Sequence, residues 1–487
     1  MRTALLSILL TCAATSVRAA PVATTAPATA PATAAPAATA TAADAIVNTF
    51  EHPTPPTELR GANLTVASAA DGDAAEGKSY VQLSPMTPDA NRAQLRLALP
   101  RGASAAANAA FTAAVRAPGA KEKVELRWYA LDAKNRPLFQ RHFDLEPGER
   151  WVRLEEPLRA WRWDNARVGD WDEVMSLGLV VATPNVRRVD LDDVRFTGRA
   201  DEKQNVEWLL DLAFADRPRK VAHADGLLVG TDAIDAFAQR DLDRLLDGMR
   251  RTRAWVRATF GDAVRPTDDH HAPAALLIFA APADYPAFYR RLGDAWRVTI
   301  GAPRSQGYTV QDVATSTFDA KLGPDRPVYF HEAVHTIVAR DLRLLAGHDA
   351  HRAMQEAIAN YLQVCRYPQS LPRGAYTKQF ARPIDPSGNG FFKPLETLFT
   401  KPLTVREYAQ LASLAAYLVE ENPKLLRELA RGLADGETAG DVLAHGGTTW
   451  QQLEDAWLAW GRKRFAADAD ANVDANAPAF TPPAEFQ

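Results

Sequence analysis

Near residue 200 the hydrophobic period of the chain changes, and that change divides it into two modules. Before it, Val124, Leu126 and Trp128 are separated by Glu125 and Arg127, and Leu177, Leu179 and Val181 repeat the alternation. A half-buried strand has this period. Pro147-Gly148 marks a turn after Phe143 and Leu145, a strand restarts at Trp151, and residues 189–196 supply a last one. Short strands separated by turns predict an all-β sandwich over residues 45–199. Beyond it the spacing becomes helical. Residues 233–260 place Phe237, Leu242, Leu245, Leu246 and Met249 on one side of a helix. Residues 274–280 read as a buried strand, 282–292 as a helix, and 307–310 and 313–318 as two strands. The chain is thus multidomain, with an α+β, mainly helical domain expected over residues 204–466 and a polar, proline-containing tail over 467–487.

The first residues carry an address rather than a fold. Arg2, an apolar run over residues 4–14 and Val17-Arg18-Ala19 read as a secretory signal peptide over residues 1–20. The run is too short for a membrane helix, which needs about 20 apolar residues. Residues 21–44 are rich in Ala and Thr, and Pro21, Pro27, Pro31 and Pro36 interrupt any helix there, which leaves a flexible linker. An exported protein without a transmembrane segment is expected, periplasmic or extracellular. Removal of Cys12 with the leader leaves Cys365 alone, so neither a disulfide framework nor a zinc ribbon is available. With 56 basic and 60 acidic residues the net charge is −4, which argues against a nucleic-acid partner.

In the first module, Thr49-Phe50-Glu51, the segment over residues 77–83 and the closing segment over 189–196 together resemble a carbohydrate-binding jelly-roll module. The resemblance implies a polysaccharide or cell-envelope glycan as partner. It also implies a structural calcium shared by Glu51 and Asp193, with Asp192 as substitute; oxygen donors suit that ion. Trp128, Tyr129, Trp161, Trp163 and Trp171 either fill the sandwich core or stack on sugar rings. Most of these are expected to fill the core, and Trp161-Arg162-Trp163 is the best candidate for an exposed platform, because alternation puts both tryptophans on the side opposite Arg162.

In the second module, residues 327–338 contain His331-Glu332-Ala333-Val334-His335, an H-E-x-x-H motif. On a helix, residues four apart share a face. His331 and His335 can therefore offer two imidazole nitrogens to one ion, with Glu332 beside it to take a proton from activated water. Val338 and Asp341 occupy the places where metzincins carry Gly and His, which excludes that class. Glu356 follows His335 by twenty residues, on a second helix that begins near Asp349 and ends before Pro368. Two helices joined by a short turn would return Glu356 to the histidines. Two His and one Glu with an open fourth position form a ligand set of catalytic zinc.

The pattern resembles the gluzincin metallopeptidases, and Glu356-Ala357-Ile358-Ala359-Asn360-Tyr361 is similar to exported peptidase-MA-like proteins. The resemblance implies His331, His335 and Glu356 as zinc ligands and Glu332 as general base. It places Asn360 where a related acid orients an imidazole. A helix opening at the capping box Thr404–Glu407 carries Tyr408, the first candidate for an oxyanion donor, with Tyr417 the second. The expectation is an exported zinc peptidase acting on a peptide or protein substrate. The alternative is a non-catalytic glycan- or envelope-binding protein that keeps a structural metal site, for which a fourth ligand such as His351 would be the sign. Otherwise His351 is expected on the surface, as is the cluster Asp268-Asp269-His270-His271. No G-x-S-x-G elbow or phosphate-cradling glycine loop is present, so serine hydrolases and nucleotide binders lack support.

Overall fold

The computed structural model describes residues 108–163, 168–198, 202–265, 273–298, 300–301, 305–345, 349–383, 392–470 and 478–486, with shorter stretches between 45 and 105. The expected leader and linker, Glu51 and the Asp268–His271 cluster lie outside the described residues.

The first module is a sandwich of two antiparallel sheets. One has the order β3 (Leu64–Ala69), β4 (Tyr80–Pro85), β12 (Val189–Thr197), β6 (Ala110–Ala117), β9 (Gly148–Pro157), with β1 (Ala45–Asn48) also paired to β12. The other runs β10 (Arg162–Trp163), β8 (Pro137–Leu145), β7 (Val124–Leu131), β11 (Ser176–Val181), β5 (Gln94–Ala98), β2 (Leu59–Ala62). Alternation decides the faces. Along β7, Val124, Leu126, Trp128 and Ala130 are buried while the residues between them are only partly covered. Trp128 packs on Phe111 with ring centroids 4.9 Å apart.

Trp161 and Trp163 do not form an exposed platform. They are 4% and 7% exposed, and Trp161 packs edge-on against Phe111 and Trp171 inside the sandwich. The reason lies outside the strand. β10 is two residues long, and the second module covers that end of the sandwich, which local alternation cannot reveal.

The second module is built on a mixed sheet of order β13 (Lys220–Ala224), β14 (Leu227–Thr231), β15 (Ala274–Phe279), β17 (Val313–Thr317), β16 (Gly307–Val310). The inner pairings β14–β15 and β15–β17 are parallel and the outer two antiparallel. All six residues of β15 are buried, as expected of a strand covered on both faces. Leu228, Ala275 and Leu277 pack with α1 (Glu202–Phe214) and α3 (Asp284–Trp296). Leu227, Leu276 and Ile278 pack with α2 (Gln239–Phe260) and α4 (Pro327–Asp341). α5 (Asp349–Arg366) lies against α4 and is followed by α6 (Arg373–Phe380), α7 (Leu395–Thr400), α8 (Tyr408–Glu421), α9 (Pro423–Asp435), α10 (Ala439–His445) and α11 (Trp450–Asp470). The segment expected as a polar tail is partly built in. α11 continues to Asp470, Ala479 and Phe480 are buried in the helical core, and the ring of Phe486 packs on Phe330.

The modules are fused rather than strung. Ala339 of α4 and Leu345 just beyond it belong to the apolar cluster of the sandwich. Arg343 Nη1 donates to both carboxylate oxygens of Glu173, at 2.6 and 2.7 Å, and Arg159 Nη1 donates to Asn205 Oδ1 at 3.0 Å. Between the two bodies lies a cavity of about 60 Å³ walled by Trp161, Trp163, Trp171, Trp208 and Trp296.

Candidate metal centre

α4 opens with Pro327 in its first turn, where the missing N–H costs nothing. Every residue from Val328 to Asp341 is buried, because the sheet, α2 and α5 close around the helix. The four-residue spacing brings His331 Nε2 and His335 Nε2 to 3.1 Å from each other. Glu356 on α5 places Oε2 3.4 Å from the first nitrogen and 3.8 Å from the second. Three donors each about 2.0–2.1 Å from a tetrahedral ion stand about 3.3 Å apart. The observed triangle matches that spacing, and its two imidazoles and one carboxylate suit zinc and its first-row neighbours. Among the described residues this is the one group of three or more His, Cys, Asp or Glu side chains arranged to hold a metal ion.

Electrostatics sort the four groups into different states. Burial alone would raise Glu356, but the hydrogen bond from His331 and the positive fields of His335, His331 and Arg352 outweigh it and hold the carboxyl at about 2. Tyr408 donates its hydroxyl to Glu356 Oε1 at 3.1 Å, and Asn360 Nδ2 donates to Oε2 at 3.2 Å. Burial draws His335 down to about 4, whereas for His331 the carboxylates of Glu356 and Glu332 overcome burial and raise it. Glu332 behaves oppositely to Glu356. Burial pushes it up to about 7, against the opposing field of His331 and the hydrogen bond from Thr309. Thr309 donates to its Oε2 at 2.7 Å, and Oε1 has no hydrogen-bond partner among the described residues. A carboxyl near neutrality with one free oxygen is equipped to accept and return a proton.

The sequence-derived residues divide cleanly by position. His331, Glu332, His335, Glu356 and Tyr408 come together, with Tyr408 lying along His331 at 6.0 Å between rings. Tyr417 does not join them; its ring packs against Trp460 at 5.8 Å. Asn360 reaches Glu356 rather than an imidazole, because both sit on α5 one turn apart. Neither Nδ1 meets a hydrogen-bond partner among the described residues, although Gln363 and Gln355 stand beside His331 and His335. His351 is buried, contrary to expectation. Its Nδ1 accepts from Leu345 N–H at 3.1 Å and its Nε2 lies 2.9 Å from Leu433 O, so it is no fourth ligand. The return of the chain after α4 covers it, a tertiary effect.

Asp193, the calcium candidate, is fully buried at φ 48° between Arg153, at 2.8 Å, and Arg195. Asp192 Oδ1 accepts the Asp193 N–H at 2.7 Å. Sequence reasoning missed two residues of the metal centre, both on β16. Thr309 holds the Glu332 carboxylate, and Gly307 lets the strand approach it: a Cβ there would lie 2.6 Å from Glu332 Cγ. No local motif marks either, since β16 reaches Glu332 only through its pairing with β17.

No family model and no curated protein matches the sequence. Solved structures similar to the N-terminal part include a family 11 carbohydrate-binding module from Clostridium thermocellum, in complex with a β-1,3-1,4-mixed-linked tetrasaccharide. It is 12% identical, covers 32% of this chain and 96% of that one, and has a TM-score of 0.26. A CBM22-1 xylan-binding domain from Paenibacillus barcinonensis Xyn10C gives 15% identity, 32% and 97% coverage and a TM-score of 0.24. An exo-β-agarase gives 12% identity over 38% of this chain and 36% of that one, with a TM-score of 0.26.

Proposed function

We propose that the protein is an exported zinc-dependent peptidase of the gluzincin type. The observation that carries this reading is the convergence of two imidazole nitrogens and one carboxylate oxygen within 4.8 Å of one another, with the buried Glu332 carboxyl next to them on the same helix as the imidazoles. His331, His335 and Glu356 would hold the ion, which when bound supplies Lewis acidity, lowering the pKa of water toward about 7. The remaining work belongs to the chain. Thr309 anchors Oε2 of Glu332 and leaves Oε1 to take a proton from the attacking water and return it to the leaving amine. Tyr408 is the proposed oxyanion donor, a role in which its hydroxyl exchanges Glu356 Oε1 for the substrate oxygen. Export rests on the leader-like residues 1–20.

A second reading makes the metal structural and the protein a glycan binder. The tryptophan-walled cavity between the modules favours it; the engagement of His351 elsewhere, which leaves three protein ligands among the described residues, opposes it. Metal analysis with a peptide-digestion assay separates the two. Peptidase action predicts about one zinc per chain, hydrolysis lost to chelator and restored by zinc, and a Glu332→Gln protein that keeps zinc but does not cut. Full activity in that variant ends the proposed mechanism. Stoichiometric zinc without cleavage of any peptide leaves the second reading.

A further inference from the structure

The loop between β16 and β17 holds a residue that the loop itself does not favour. Val310 pairs with Val313, so Gln311 and Asp312 alone make the turn, and Gln311 adopts φ 55°. Loops of this length favour glycine, asparagine or aspartate where φ is positive. A glutamine in that conformation is strained, and such strain persists where the surroundings hold it in place. Its side chain supplies the reason. Gln311 Oε1 accepts the Trp163 N–H and Gln311 Nε2 donates to Trp163 O, both at 3.4 Å. β10 is the edge strand of its sheet, so this amide stands in for a neighbouring strand. Trp163 is a firm anchor, packed in the sandwich interior with its indole N–H given to Gly169 O at 3.1 Å. Asp312 instead stays with the second module, its carboxylate 3.8 Å from Arg340 of α4 and its carbonyl accepting the Ala275 N–H at 3.0 Å.

β16 is likewise the edge of its sheet, paired with β17 on one side. Tyr289 of α3 holds the middle of the strand by donating to Tyr308 O at 2.9 Å, and Gln311 holds its loop end. Two residues before Gln311, Thr309 donates to Glu332 Oε2. We propose that Gln311 is a positioning residue, through which the sandwich fixes β16 against α4 so that Thr309 meets the Glu332 carboxylate. The connection runs from Trp163 to Gln311, along the strand to Thr309, and across to Glu332. Without the amide, the loop end of an edge strand is free to lift from the helix. Its consequence for catalysis rests on the peptidase reading. A displaced Thr309 leaves Glu332 unoriented, whereas His331, His335 and Glu356 lie on α4 and α5 and keep their places. The sandwich thereby gains a part in the reaction that requires no glycan.

The test uses the full-length protein and Gln311→Gly, which suits the positive φ but removes the amide. Gln311→Asn, also tolerant of that backbone but one methylene too short to span the seam, is the second variant. In the metal-free protein, the amides of residues 307–310 should exchange with deuterium about fivefold faster or more, as loss of one net hydrogen bond allows. A residue that served only the turn would do the reverse, since glycine relieves the loop. Urea unfolding of Gln311→Gly, Thr309→Val and the double variant should be non-additive, as residues of one network are. With zinc bound, kcat should fall about fivefold while KM and zinc content stay unchanged, a split that a general loss of stability does not produce. Unchanged exchange, an additive cycle, an unchanged kcat in an active protein, or a kcat loss that follows zinc content each overturns the proposal. Wild-type protein that cuts no peptide removes the peptidase reading alone, because exchange and the cycle still decide whether Gln311 places Thr309.

Discussion

Replacing Glu332 by Gln should stabilise the metal-free protein, and the gain should depend on pH. The carboxyl is buried, and its pKa moves from an ordinary 4.5 to about 7. Between those values the unfolded chain has already lost a proton that the folded one retains, so stability falls as pH rises through the window. Below 4.5 the penalty vanishes; above 7 it is complete, at about 3 kcal/mol for some 2.5 units. A glutamine carries no charge to desolvate, though its amide hydrogens would lack a partner where Oε1 lacks one now, a loss of about 1 kcal/mol. Urea unfolding followed by far-UV circular dichroism should show Glu332→Gln more stable by about 2 kcal/mol near pH 8. The difference should shift by about 2.5 kcal/mol between pH 8 and pH 5 as wild type recovers. Zinc should erase the gain, because a cation beside the carboxylate favours its charged form. A variant whose stability tracks wild type across that range would show that Glu332 is solvated, and the case for a tuned base would fail.

His335→Ala and Glu356→Gln should each bring bound zinc from about one per chain to near zero after dialysis, read by elemental analysis; retention in both would remove them as ligands. Thr309→Val deletes the hydroxyl that lowers Glu332, so the acid limb of the pH–kcat profile of the zinc-loaded protein should move to higher pH with a smaller maximum, and an unmoved limb would deny Thr309 that role. Gly461→Ala would ordinarily gain about 1 kcal/mol in a helix, but its Cβ would lie 2.0 Å from Phe380 Cε1. Overpacking of about 1–3 kcal/mol should therefore win, and calorimetry should show a lower Tm rather than a higher one.

What could be read from the residues was local. H-E-x-x-H sets two imidazoles on one helix face because four residues make about one helical turn, and the second helix carries Glu356 back to them, as the short connection required. β7 and β15 were visible in the spacing of their apolar residues, the first half-buried and the second covered on both faces. Long-range covering was not. Trp161 and Trp163, the best candidates for exposed aromatics, and His351, expected on the surface, are all buried, because a neighbouring module or a returning chain shields them. Thr309 and Gly307 reach Glu332 only after β16 pairs with β17. Tyr408 and Tyr417 have similar surroundings in sequence, and only the packing of α8 on α5 decides which hydroxyl meets Glu356.

The seam between the modules limits how this chain can be divided. Ala339 and Leu345 fill the sandwich's apolar interior, although they flank the end of the helix that carries both histidines. A gene cut near codon 200 would strip that greasy patch and leave a helical half prone to clump, so neither portion should behave as a portable cassette. Shuffling among unrelated partners, the usual fate of accessory domains joined by loose tethers, is closed to this pair unless both faces change together.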